Sequence, residues 1–148
     1  MIAYLVRHAH AGDRERWEGP DQDRPLTDKG RRQAERLAQR LAPSRPARLL
    51  SSPYLRCRQT LEPLGLALAL PVLDEPDLAE GRPPDLALEL IRQATADIAL
   101  CSHGDVIGGI VENLWRRRLV RAPRWEKGST WALEVHAGEI VGATYIEP

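Results

Sequence analysis

Arg7 and His8 follow directly on the apolar run Ile2-Ala3-Tyr4-Leu5-Val6. A guanidinium grips a phosphate or carboxylate through two parallel hydrogen bonds, and an imidazole can act as nucleophile or proton carrier near neutral pH. Two further stretches repeat the pattern. Ala47-Arg48-Leu49-Leu50 stops at Ser51-Ser52-Pro53, with Arg56 just beyond, and Asp97-Ile98-Ala99-Leu100-Cys101 stops at Ser102-His103-Gly104. A single histidine at the end of an apolar run is usually incidental. Three such endings, carrying two arginines and two histidines, point to a built anion site.

Those residue types suit phosphoryl transfer. A neutral imidazole, with an ordinary pKa of about 6.5, is a competent nucleophile toward phosphorus. Two arginines cancel the charge that would repel it. A second histidine beside a phosphate binds an equatorial oxygen. An acid must protonate the leaving oxygen. Glu80, in Leu78-Ala79-Glu80-Gly81, is one candidate; Asp77 and Asp105 are the others. The chemistry requires no metal and no cofactor, and the sequence shows no carboxylate cluster to hold a divalent ion.

The elements that position these side chains alternate between strand-like and helix-like patterns. Strands are expected at 2–6, 47–50, 71–73 and 97–101, then a hairpin of 129–135 and 139–146 turning at His136-Ala137-Gly138. Helices are expected from a Thr27 cap to Leu41, from Tyr54 to about Leu66, around Leu86 to Ile91, and from Val106 to about Leu119. Pro63 should kink or end the second. Residues 13–25 and 74–85 read as loops. Such alternation predicts an α/β fold: a three-layer α/β/α sandwich on a mainly parallel sheet, with an antiparallel strand from the closing hairpin. Parallel strands bring the three endings to one edge, where open α/β sheets bind ligands. Two helix N-termini there add N–H donors that favour an anion.

The 148 residues suit one domain spanning 1–148, and 43% hydrophobic with 28% charged residues is ordinary for a globular chain. The net charge of +0 gives no bias toward nucleic acid or an anionic membrane. Lys29 and Lys127 are the only lysines. Cys57 and Cys101 have neither metal-ligand nor redox spacing, which predicts reduced thiols and a cytoplasmic setting. The first apolar run is too short for a signal peptide or a membrane span.

Arg7-His8-Ala9, Pro25-Leu26-Thr27, the run SSPYLRCRQT from Ser51 and Ser102-His103-Gly104 resemble, in order and over nearly the whole chain, the histidine phosphatase superfamily with its phosphoglycerate mutase-like fold. The short length and the RHA form followed by PLT are most similar to the SixA-type phosphohistidine phosphatase branch. Lys127-Gly128-Ser129-Thr130-Trp131 before the hairpin is similar to phosphatase domains fused to Nudix hydrolases in some bacteria, which points toward nucleotides. The resemblance implies a metal-independent phosphatase in which His8 becomes phosphorylated. Arg7, Arg56 and His103 would form the phosphate pocket, with Glu80 as acid. The partner would be a phosphorylated small molecule, nucleotide or phosphohistidine protein. Ala9 departs from the glycine usual in the family, and the SixA branch often lacks the acidic glutamate. A non-catalytic phosphate-binding regulatory module and a phosphoglycerate mutase are the alternatives.

Other residues have looser expectations. His10 points away from His8 if the strand continues and lines the pocket rim if it does not. Arg14 and Arg16 lie in the loop after the site, where the alternatives are a solvated loop and contact with a substrate's distal charge. Arg116-Arg117-Arg118 and Arg121 suit the negative end of a helix. Trp115, Trp125 and Trp131 read as packing residues, and Trp17 as a lid or stacking residue. Lys127 has the length to reach a substrate phosphate, and His136 reads as a solvated turn residue.

Overall fold

The computed structural model describes residues 1–148. Six strands form one sheet: β1 (Ile2–Arg7), β2 (Arg48–Ser51), β3 (Val72–Asp74), β4 (Ile98–Ser102), β5 (Thr130–His136) and β6 (Glu139–Ile146), in the spatial order β3-β2-β4-β1-β5-β6. The first four run parallel, and β5 pairs antiparallel with both β1 and β6. Four helices accompany them: α1 (Asp28–Leu41), α2 (Leu55–Leu68), α3 (Pro84–Gln93) and α4 (Gly104–Arg116). The three-layer expectation and the antiparallel hairpin both hold.

Strand alternation sorts the core into two halves. Tyr4, Val6, Leu49, Ala99 and Cys101 face α1 and α2, meeting Leu37, Leu41, Leu61 and Leu64. Ala3, Leu5, Leu50, Ile98 and Leu100 face α3 and α4, meeting Ala87, Ile91, Val106, Ile110 and Leu114. Each fully buried leucine or isoleucine contributes roughly 1.5–3 kcal/mol relative to exposure.

The register aligns the strand ends. Arg7 pairs with Ser102, and Ser51 with Cys101. His8 N–H then donates to the Ser102 carbonyl at 3.1 Å, and Ser52 N–H to that of Cys101 at 3.0 Å. Three chains therefore leave the sheet together at one edge.

Pro63 neither ends nor replaces α2, which continues to Leu68. Leu61 and Leu64 on either side of it are fully buried, so core packing outweighs the lost backbone bond. Residues 13–25 hold two short 3₁₀ turns, Arg14–Arg16 and Asp21–Asp23. Trp131 is buried, whereas Trp115 is half exposed and is not a core residue. No helix is long and apolar enough to cross a membrane.

Candidate active site

The sheet edge opens into a cleft of about 570 Å³ lined by Arg7, His8, Arg14, Arg24, Glu80 and Lys127, among others. His8, buried at its base, makes one hydrogen bond through its ring: Nδ1 lies 2.8 Å from the Ala9 carbonyl oxygen. A carbonyl only accepts, so Nδ1 carries the proton and Nε2 keeps its lone pair. Burial, reinforced by His103, Arg56 and Arg7, lowers the His8 pKa to about 3. The ring is neutral at physiological pH.

His103 meets His8 edge to face, with ring centroids 5.5 Å apart. Its Nε2 is 2.8 Å from Ser52 Oγ and 3.5 Å from Cys57 Sγ, and Tyr54 packs against the ring at 4.7 Å. His103 Nδ1 is buried with no partner. Ser52 and Tyr54, where the chain passes from β2 into α2, thus fix the ring by one bond and one face.

Arg56 is fully buried on the first turn of α2. It donates Nη2 to Asp21 Oδ2 at 3.0 Å and Nη1 to the Asp21 carbonyl at 2.8 Å. Arg7 donates Nη1 to the Trp125 carbonyl at 2.8 Å, and burial pulls its guanidinium below the ordinary value. Its guanidinium lies against Gly104, where an added Cβ would come within 2.9 Å of Nη2. Buried side-chain polar atoms without a partner are Arg7 Nε, Arg56 Nε, His103 Nδ1 and Thr130 Oγ1. All but the last belong to residues that the sequence assigned to an anion pocket.

Glu80 lies at the junction of these groups. Its Oε1 accepts from Arg14 at 2.7 Å and lies 3.6 Å from Arg56 Nη2 and 3.9 Å from His103 Nδ1. Asp105 also lines the cleft, but its Oδ2 accepts the Gly81 N–H at 2.8 Å and so anchors the Glu80 loop. Asp77 pairs with Arg82 at the surface, outside the cleft lining.

Residues 3–86 match the family model of the histidine phosphatase superfamily, branch 1. The chain belongs to the histidine phosphatase superfamily. A curated relative of this superfamily member, the 8-oxo-(d)GTP phosphatase of Mycolicibacterium smegmatis, is 37% identical over 97% of the chain. The chain spans 47% of that relative's length. The transcription factor tau 55 kDa subunit of Saccharomyces cerevisiae is 35% identical over 55% of the chain, which covers 21% of that protein. Among solved structures, the protein histidine phosphatase SixA complexed with tungstate superposes with a TM-score of 0.77, at 24% identity, covering 99% of this chain and 95% of that one. A mycobacterial glucosyl-3-phosphoglycerate phosphatase in complex with VO3 gives 0.72, at 16% identity and 97% and 96% coverage. These likenesses establish the phosphoglycerate mutase-like fold.

His10 stands apart from the cleft lining: its Nδ1 is 2.7 Å from Thr27 Oγ1, the hydroxyl that caps α1. Arg14 does line the cleft, through its pairs with Glu80 and Asp21. Trp17 is held by Nε1–H to the Pro20 carbonyl at 2.9 Å, in a shallow neighbouring depression. Sequence reasoning missed Arg24 and Asp21. Arg24 is buried, donating Nη1 to the Ala11 carbonyl and Nε to Asp21 Oδ1 at 3.0 Å. Asp21 joins Arg14, Arg24 and Arg56. The only available signal was the charge alternation Asp21-Gln22-Asp23-Arg24 in a stretch read as plain loop.

Proposed function

We propose that this chain is a phosphohydrolase that works through a phosphohistidine on His8. The tautomer carries the proposal: with Nδ1–H spent on the Ala9 carbonyl, Nε2 is a neutral, fixed lone pair. A module that only binds phosphate has no use for such an atom, which argues against the non-catalytic alternative.

His8 Nε2 attacks phosphorus. A P–N bond forms as the bond to the leaving group breaks, with its electron pair going to that group. Arg7 and Arg56 neutralise the phosphoryl oxygens, and the unpartnered His103 Nδ1 donates to one of them. Glu80 supplies a proton to the leaving group. Water then attacks the phosphohistidine with Glu80 as base, releasing phosphate and restoring His8. Arg7 and Arg56 supply the positive charge, and no step calls for a metal.

Residues 1–148 act as one catalytic unit, and two unbridged cysteines suit a cytoplasmic setting. The substrate is a phosphomonoester or phosphoramidate, on a nucleotide, a small molecule or a protein histidine. The Mycolicibacterium relative, an 8-oxo-(d)GTP phosphatase, supports a nucleotide. The test is turnover of an aryl phosphate by the wild type, in buffer containing EDTA, beside His8→Ala. Turnover surviving in His8→Ala contradicts the proposal.

A further inference from the structure

Arg7 and Lys127 are the cations of the cleft that form no ion pair. Arg14 is matched by Glu80 and Asp21, and Arg24 and Arg56 by Asp21. Of the other cleft carboxylates, Asp13 pairs with Arg16, and Asp105 accepts the Gly81 N–H and acts on Arg7 by charge alone, with no ion-pair contact to it or to Lys127. Lys127, exposed on the cleft rim, lines it beside Arg7, Arg14 and Arg24. Burial, then Arg7, Arg24, Arg14 and Arg56, push its ammonium below the ordinary value. An ammonium held among guanidinium groups is unfavourable unless an anion joins them.

The placement is built. Gly128 N–H donates to the carbonyls of both Arg7 and His8, at 3.1 and 3.0 Å. Its φ of +83° lies in the left-handed region that favours glycine. The Trp125 carbonyl, three residues before, holds Arg7 Nη1. The segment carrying Lys127 is therefore stitched to the backbone and side chain of the pair that contains the nucleophile.

We infer that Lys127, together with Arg7, holds a second phosphate next to the transferring one, so that the preferred substrate class is a diphosphate ester. This rests on the phosphohistidine reading of His8. Nε2 forms a bond to the terminal phosphorus, the bridging P–O bond breaks, and the phosphate monoester leaves with the electron pair. Water then cleaves the P–N bond to give inorganic phosphate. A phosphate monoester has a second pKa of about 6, so it departs as an anion with little help from an acid. A phosphohistidine protein or a simple monoester lacks the second phosphate that Lys127 would hold.

The experiment compares kcat/KM for a nucleoside diphosphate with that for its monophosphate, in wild type, Lys127→Ala and Lys127→Arg, with thermal melts as a folding control. The wild type should prefer the diphosphate by about tenfold or more, the factor that corresponds to one charge-assisted contact of roughly 1.4 kcal/mol. Lys127→Ala should remove most of that preference and Lys127→Arg should keep it. A wild type without the preference, or one whose preference survives Lys127→Ala, overturns the second-phosphate assignment alone. Turnover that survives His8→Ala overturns the phosphohistidine reading instead.

Discussion

Arg56 and Asp21 stand 35 positions apart in the chain and meet through two hydrogen bonds, to the Asp21 carboxylate and to its carbonyl. The loop after β1 thereby orients a fully buried arginine that α2 supplies. Asp21→Asn should remove the nearer of the two carboxylates on Arg56 and leave only the longer 3.6 Å contact with Glu80, at a cost of about 1–3 kcal/mol in a urea melt. Turnover of an aryl phosphate should fall with it. Burial acts to raise the Asp21 carboxyl, but its bonds with Arg24 and Arg56 prevail and hold it below the ordinary value. The contribution is therefore present above the unfolded pKa of about 3.9 and lost as pH falls through the lower folded one. Asp21→Asn should flatten the stability profile below about pH 4.

His8 should remain neutral where ordinary histidines titrate. Its folded pKa of about 3, set first by burial and then by His103, Arg56 and Arg7, lies below the unfolded value of about 6.5. Histidine nitrogen shifts in NMR should show Nδ1–H and a bare Nε2 from pH 5 to 8. A His8 that titrates near pH 6.5 contradicts the site electrostatics. Because the unfolded chain takes up the proton first, acidification through this window should cost stability, by up to about 1.4 kcal/mol per pH unit.

Glu80→Gln should discriminate among leaving groups. An alkyl phosphate needs a proton at the leaving oxygen, and loss of a general acid typically costs about 10²–10⁴ in rate. A nitrophenyl phosphate needs none and should lose far less in the phosphorylation step. Equal losses across the series would remove Glu80 from the acid role and return attention to Asp105.

Gly104→Ala tests the seat of Arg7. The new Cβ would lie 2.9 Å from Nη2 and 3.0 Å from Cζ, so the guanidinium must move. A shift near 1 Å at a positioning group can cost about 100-fold in rate. Alanine suits a first helical turn, so the melting temperature should change little while kcat/KM drops. Unchanged kinetics would mean that Arg7 tolerates displacement.

Three strand endings were enough to place Arg7, His8, Arg56 and His103 at one sheet edge, because parallel pairing leaves little freedom in where a strand stops. The loops were harder to read. Arg24 is buried through hydrogen bonds to the Ala11 and Gly12 carbonyls, contacts that no side-chain pattern encodes. Asp21 does its work on residues from two different elements. His10, two places after His8, was ambiguous because its direction depended on whether the strand continued. The chain leaves the sheet at Arg7, and the ring turns to Thr27. Pro63 does not end α2, because local propensity gave way to the buried leucines around it.

The most direct test is to trap the intermediate. Wild-type protein mixed with a slowly hydrolysed aryl phosphate and quenched at high pH, where phosphohistidine survives, should carry one phosphoryl group that mass spectrometry maps to His8. The label should be lost on acid treatment and be missing from His8→Ala. A label on another residue, or one that persists in His8→Ala, would contradict the assignment of His8 as nucleophile.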